Sequence, residues 1–166
     1  MRGYLGPVQL GVGVRDGTAI FANTVRTALT DHPKWVGIKC DFRNAFNEVS
    51  RTAFLRFIAR NFPALLLVML SAYGVPAYIT ALGSIGWVRF LSRRGCTQGC
   101  PAGGLCFAAA LQEVLEATQA AFPACIVIAL HDDVEVCGPP DQARAALPRA
   151  SARRGDPALR TYALWA

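Results

Sequence analysis

The 166-residue chain predicts an α+β fold, an antiparallel sheet with helices packed on one face. Three observations carry that expectation. Trp35-Val36-Gly37-Ile38-Lys39-Cys40-Asp41 alternates with the period of two that marks a half-buried strand. Cys125–Leu130 and Val134–Val136 are apolar runs on either side of His131-Asp132-Asp133, the pattern of a hairpin. Between these, apolar residues recur at helical spacing, in Phe54, Phe57, Ile58 and Phe62 and again in Leu105, Ala108, Leu111, Leu115 and Phe122.

Taken in order, Gln9–Val14 reads as a short extended stretch closed by the turn signal Arg15-Asp16-Gly17. A helix follows over Thr18–Leu29, with Thr18 or Asp16 as its cap. Pro33 separates it from the strand Trp35–Asp41, which delivers an acid at its C-terminal end. Ser50 caps a helix reaching Phe62, and Pro63 suits the first turn of the next, to Tyr73, because a missing N–H costs nothing there. Ile85–Leu91 reads as extended and is followed by the basic Arg93-Arg94-Gly95. Pro101 opens a long helix whose wet face carries Glu113 and Glu116. Asp141–Leu147 forms a last short helix. From residue 148 to 166 the texture changes to an irregular, Arg-containing tail, so the domain is expected over 9–147.

Composition bounds the function. Seventeen Lys and Arg against eleven Asp and Glu leave a formal charge of +6, which favours an anionic partner. Only Lys34 and Lys39 are lysines; arginine's planar fork suits phosphate, although GC-rich coding gives the same bias. The six cysteines, several inside apolar runs and without a secretory signal before them, read as reduced buried thiols of an intracellular protein, nuclear or cytoplasmic and not secreted. Cys96 and Cys100 have half of a zinc spacing, but no histidine or second pair completes it. Hydrophobic residues make up 53% of the chain, mean hydropathy is +0.31, and residues 61–88 carry no charge. Pro76 and glycines 74, 83 and 86 interrupt that run, so no membrane span is expected.

Two adjacent acids between two apolar runs have two readings, a solvated turn or a pair of ligands. If the strand ending at Asp41 lies beside the hairpin, three carboxylates come together. Such a cluster raises its own pKa values unless cations sit within it. Clustered Asp oxygens suit hard ions such as Mg2+, the equipment of two-metal phosphoryl transfer.

Three stretches carry a family resemblance. KCDFRNAFNEVSR resembles motif A of reverse transcriptases, GCTQGCPAGGLCFAAALQEVLE their motif B, and ALHDDVEVCGPP their motif C. QLGVGVRDGTA is similar to the segment preceding motif A, and the style is that of the non-LTR retrotransposon group. The resemblance spans Gln9–Leu147 and implies the palm of a right-hand RNA-directed DNA polymerase. By that resemblance Asp41 and Asp132 ligate two Mg2+ ions, or Mn2+ as the alternative, with Asp133 beside them and the Phe42 carbonyl contributing. Phe46, five residues after Asp41, matches the steric gate against a ribose 2′-hydroxyl; plain core packing is its other role. Gln98 and Gly99 match residues that touch the incoming nucleotide, Arg43 and Asn44 line its pocket, and Arg89, Arg93 and Arg94 meet nucleic-acid backbone or form a solvated charge run. The implied partners are an RNA template, a DNA primer and a dNTP.

The chain departs from the pattern in several places. Cys100 stands where an Asp is usual, and Leu130 where an aromatic residue is common. The basic fingers segment expected before Gln9 and the primer grip and thumb expected after Leu147 are not in this sequence, and no lysine follows Lys39 to act as a general acid on pyrophosphate. The expectation is therefore an incomplete palm, with a frameshift near Leu147 as one origin. A catalytically inactive retroelement remnant that binds nucleic acid weakly is the alternative.

Overall fold

The computed structural model describes residues 5–42, 44–97, 99–150 and 159–164. Helix α1 (Gly17–Asp31) leads to strand β1 (Val36–Phe42), the single turn α2 (Ala45–Glu48), and helices α3 (Arg51–Asn61) and α4 (Pro63–Tyr73). A hairpin of β2 (Ala77–Gly83) and β3 (Gly86–Ser92) precedes the long α5 (Gly103–Ala121). Strands β4 (Ile126–Leu130) and β5 (Asp133–Gly138), helix α6 (Pro140–Ala150) and strand β6 (Leu159–Leu164) complete the order. The main sheet is antiparallel in the order β4-β5-β1-β6, so the fold is the α+β architecture expected from the sequence.

Local chemistry explains most boundaries. Ser50 Oγ accepts from the Ala53 N–H at 3.3 Å and caps α3, and Pro63 occupies the first turn of α4. β1 pairs with β5 so that Ile38 faces Val136 and Cys40 faces Val134, while Val127 and Ala129 of β4 continue the same face through their pairing with β5. These six side chains are buried and meet Leu115 of α5 and Ala143 and Ala146 of α6. A second cluster joins Phe54, Phe57 and Ile58 of α3, Met69 and Tyr73 of α4, and Cys106 and Phe107 of α5. Helix α5 belongs to both, its first half to one core and Leu115 to the other.

The uncharged stretch 61–88 divides into α4 and the β2–β3 hairpin, and no helix among the described residues is long and apolar enough to cross a membrane. The hairpin's strands are exposed almost throughout. Its base is held by Arg51, whose Nε donates to the Gly95 carbonyl at 2.9 Å, whose Nη1 donates to the Ser92 carbonyl at 3.2 Å, and whose Nη2 donates to Ser92 Oγ at 3.0 Å and the Arg94 carbonyl at 3.2 Å. Arg51, a mere surface charge by its place on α3, thus fastens the end of the hairpin to that helix.

Two sequence readings are corrected. Strand β2 lies where the sequence presents no strand, because a hairpin edge is completed by backbone pairing and Ala77–Gly83 needs no buried side to form it. The tail of residues 148–166 is not irregular throughout: α6 continues to Ala150 and Leu159–Leu164 pair along the free edge of β1. An open strand edge presents unpaired N–H and C=O groups that any extended segment can satisfy, whatever its side-chain pattern.

Because Leu115 is fully buried between α5 and the sheet, Leu115→Ala is expected to cost about 2–5 kcal/mol in urea unfolding. Leu67→Ala, at a side chain 80% exposed on α4, is expected to stay within about 0.5 kcal/mol.

Candidate active site

The pairing that buries one face of β1 and β5 sends every second residue to the other. Lys39 pairs with Glu135 and Cys40 with Val134, so Lys39 and Asp41 on β1 share a face with Asp133 and Glu135 on β5. The β1–β5 ladder ends at Cys40 and Val134, so Asp41 and Asp133 are the next residues along the two strands. The strand-end acid and the hairpin acid are therefore neighbours, separated in sequence by ninety-odd residues but joined by the sheet.

The acid doublet is divided by the turn. Leu130 pairs with Asp133, leaving His131 and Asp132 as a two-residue loop with Asp133 as the first residue of β5. The sequence reading put both acids in the turn; the structure assigns Asp133 to the strand and so to the Lys39 face. His131 has φ 56, the left-handed conformation that lets a two-residue hairpin close.

Lys39 Nζ lies 2.7 Å from Asp133 Oδ1. Its pKa is raised above the ordinary 10.5, first by the hydrogen bond to Asp133 and further by the charges of Asp133, Glu135 and Asp41, against an opposing contribution from burial. Burial pushes the Glu135 carboxyl up from 4.5, with Lys39 pulling the other way. The ammonium thus serves as the counter-ion that a face bearing three acids requires. Lys39 is a site residue that motif spacing did not single out, although its place two residues before Asp41 on one face was available as a signal.

Among the described residues no three His, Cys, Asp or Glu side chains form a ready metal cage. The donor chemistry still suits a hard divalent ion: Mg2+ is commonly held by one or two carboxylates, with waters and substrate phosphates filling the remaining positions. Asp41 is exposed, and Asp132 and Asp133 are half-buried at the open end of the β1–β5 pair. The cysteines offer no rival soft site. All six are free, and burial pushes Cys40 up to about 11 and Cys106 and Cys137 up to about 12. The Cys96 thiol is turned towards the carbonyls of Phe46 and Gly103 at 3.6 and 3.7 Å.

The remaining candidates fall into two groups. Near the acids, Phe42 ends β1 and its ring meets Phe107 edge-on at 5.7 Å, while Phe46 stacks at a tilt against the same ring at 5.2 Å. Phe46 is half-buried and packs on the α3–α5 core, so its packing role is present in the structure. Asn44 is exposed in a left-handed conformation, φ 53, just before α2. Gly99, φ 84, has open space where a Cβ would stand. Arg43 and Gln98 lie outside the described residues. Farther away, Arg89 on β3 sits 4.1 Å above the Tyr78 ring, and Arg93 and Arg94 are exposed at the hairpin base, Arg94 reaching Glu48 at 3.7 Å. Arg93 and Arg94 line an open cleft of about 700 Å3 with Asn47, Glu48, Phe90 and Thr97, on the hairpin side of the molecule and apart from Asp41, Asp132 and Asp133.

No protein-family model and no curated protein sequence matches this chain. Solved structures do. Telomerase from Candida albicans, solved with a TWJ fragment of telomeric RNA, superposes with a TM-score of 0.67 at 10% identity, over 95% of this chain and 32% of that one. Telomerase from Candida tropicalis with the same kind of RNA fragment gives 0.60 at 12% identity, over 88% of this chain and 27% of that one. The apo telomerase of Candida tropicalis truncated from its C-terminal domain gives 0.55 at 11% identity, over 92% of this chain and 35% of that one. The fold is reverse-transcriptase-like. The chain spans about a third of the length of those telomerases, and at such identities the likeness is one of fold.

The polar face makes a testable statement about stability in the absence of divalent ions. A raised Lys39 pKa means stabilisation that is complete below 10.5 and is lost as pH rises through the folded value, so wild type should lose stability relative to Lys39→Gln in that alkaline window. A raised Glu135 pKa acts in the acid range: wild type should lose stability relative to Glu135→Gln as pH rises from 4.5 through the folded value. Urea unfolding of the three proteins across pH checks both signs.

Proposed function

We propose that the chain is the catalytic palm portion of an RNA-directed DNA polymerase, related in style to the non-LTR retrotransposon enzymes, that joins a dNTP to a primer 3′-hydroxyl. The observation supporting this best is the register that brings the Asp41 end of β1 beside Asp133, in a reverse-transcriptase-like fold whose helix α5 begins in the QGCPAGG stretch. Two Mg2+ ions held by Asp41 and Asp132, with Asp133 and the Phe42 carbonyl beside them, would lower the pKa of the primer hydroxyl and neutralise charge on the leaving pyrophosphate.

The chain's own residues supply the rest. Lys39 orients Asp133 through its 2.7 Å ion pair. Phe46, braced by Phe107, stands as a rigid ring against a ribose 2′-hydroxyl. Gly99, with no side chain and a left-handed backbone, lets main chain approach a nucleotide closely, aided by Gln98, Arg43 and Asn44. Arg89, Arg93 and Arg94 add positive charge for a nucleic-acid backbone on the hairpin side, and telomerases of this fold are solved with RNA.

A second reading rests on a specific observation. With Lys39 already paired to Asp133 and no three-acid cage among the described residues, the chain could be a catalytically idle relative that only binds nucleic acid. Primer extension on an RNA template with Mg2+ and dNTPs separates the two. The first reading expects template-directed products that fall about a hundred- to a thousandfold in Asp132→Asn; folded protein that makes none sinks it.

Binding is tested separately. Replacing Arg89, Arg93 and Arg94 together by Gln is expected to lower the slope of log affinity against log salt by about 0.7 per lost phosphate contact on single strands. An unchanged slope removes these arginines from the interface.

A further inference from the structure

We infer that Gln9 is a positioning residue for the Asp132–Asp133 pair, holding His131 in its left-handed conformation and so aiming the two acids that follow it. This deepens the polymerase reading and rests on it for the role of the acids.

Gln9 is completely buried although its side chain is polar, and the structure shows what that burial serves. Its Oε1 accepts from two backbone N–H groups, Gly11 and His131, each at 2.9 Å. Its Nε2 donates to the His131 carbonyl at 3.2 Å. One carboxamide therefore meets both backbone polar groups of His131, 122 residues away in sequence. The segment carrying it is fastened to β4 on both sides: the Leu10 N–H donates to the Ala129 carbonyl at 2.7 Å, and the Ala129 N–H donates to the Val8 carbonyl at 2.7 Å.

The imidazole is confined as well. A Cβ at Gly11 would stand 2.6 Å from the His131 backbone nitrogen, and one at Gly104, in the first turn of α5, would stand 2.8 Å from His131 Cε1. The ring thus lies between the N-terminal segment and the start of α5, where only glycines leave room. A non-glycine residue at φ 56 is held there by its surroundings. In a two-residue loop the direction of Asp132 and the start of β5 at Asp133 follow directly from the backbone at His131.

A plain structural staple would change only global stability, so the test uses local exchange and a metal probe. Hydrogen exchange is measured on the full chain without metal, and binding of Mn2+ alone is titrated by electron paramagnetic resonance. Gln9→Met, which keeps length but no hydrogen bonding, is expected to speed exchange at His131 and Gly11 about tenfold or more while α3 amides are unchanged. It is also expected to weaken Mn2+ by about tenfold or more, the effect of removing a group that orients metal ligands. If Gln9→Met does not fold, Gly11→Ala, which drives a methyl against the His131 nitrogen, should give the same two changes.

Unchanged exchange at His131 in these variants, or a loss spread evenly over α3 and the turn, overturns the inference. Faster exchange at His131 with unchanged Mn2+ affinity overturns it too. A wild-type chain that binds no Mn2+ instead counts against the polymerase reading, while the exchange comparison still decides whether Gln9 holds the turn.

Discussion

The antiparallel register between β1 and β5 is the constraint on which the rest of this structure depends. It sends Ile38, Cys40, Val134 and Val136 into the apolar layer beneath α5 and α6 and turns Lys39, Asp41, Asp133 and Glu135 to the opposite face. A slip of one residue would exchange the two sets, driving Asp41, Asp133 and the Lys39 ammonium into the apolar layer and displacing the core residues from it. The cost of burying unpaired charge makes that slip prohibitive, so the force that packs the core also collects the acids. Function, on this view, is attached to the polar side of a pairing that hydrophobic burial selects.

Helix α5 converts that local geometry into a site with several walls. Its middle, around Leu115, covers the sheet, its first half packs with α3 and α4, and its first turn lies close to Phe46 and His131. Gly104 is the reason the start of this helix can approach the His131 ring, since a Cβ there would collide with it, whereas a Cβ at Gly103 would meet the Phe46 ring at an ordinary 3.8 Å. The charge distribution complements this arrangement. Asp41, Asp133 and Glu135 lie on the sheet with Lys39 among them, while Arg89 on β3 and Arg93 and Arg94 just beyond it are exposed on the β2–β3 hairpin side, which the body of the fold does not cover.

Much of the architecture was legible from pattern. The alternation of Trp35–Asp41, the Ser50 cap, the Pro63 helix start and the periodicity from Leu105 onward all reappear with small shifts at their ends, because capping and burial are local and leave their mark on consecutive residues. Asp41, Asp132 and Asp133 stood out by type and spacing. Gln9, Lys39 and Arg51 did not, since each acts through partners far along the chain: a loop, a facing strand, and the backbone carbonyls at the base of a hairpin. Strand β2 was equally invisible, its side chains being exposed on both faces and its hydrogen bonds made by backbone alone.

The sequence by itself determined which chemistry was on offer: hard carboxylate donors in a chain short of acids, an arginine-rich positive charge, glycines at the start of a long helix and alternating strands to carry them. It did so because residue type, periodicity and capping are properties of neighbouring positions. Only the tertiary structure decided that Asp133 belongs to the strand and Asp132 to the loop, that Lys39 is the counter-ion, and that a buried glutamine near the N-terminus holds the turn before the acids. Those outcomes follow from which strands pair and in what register, and that choice is made by the free energy of the whole buried face.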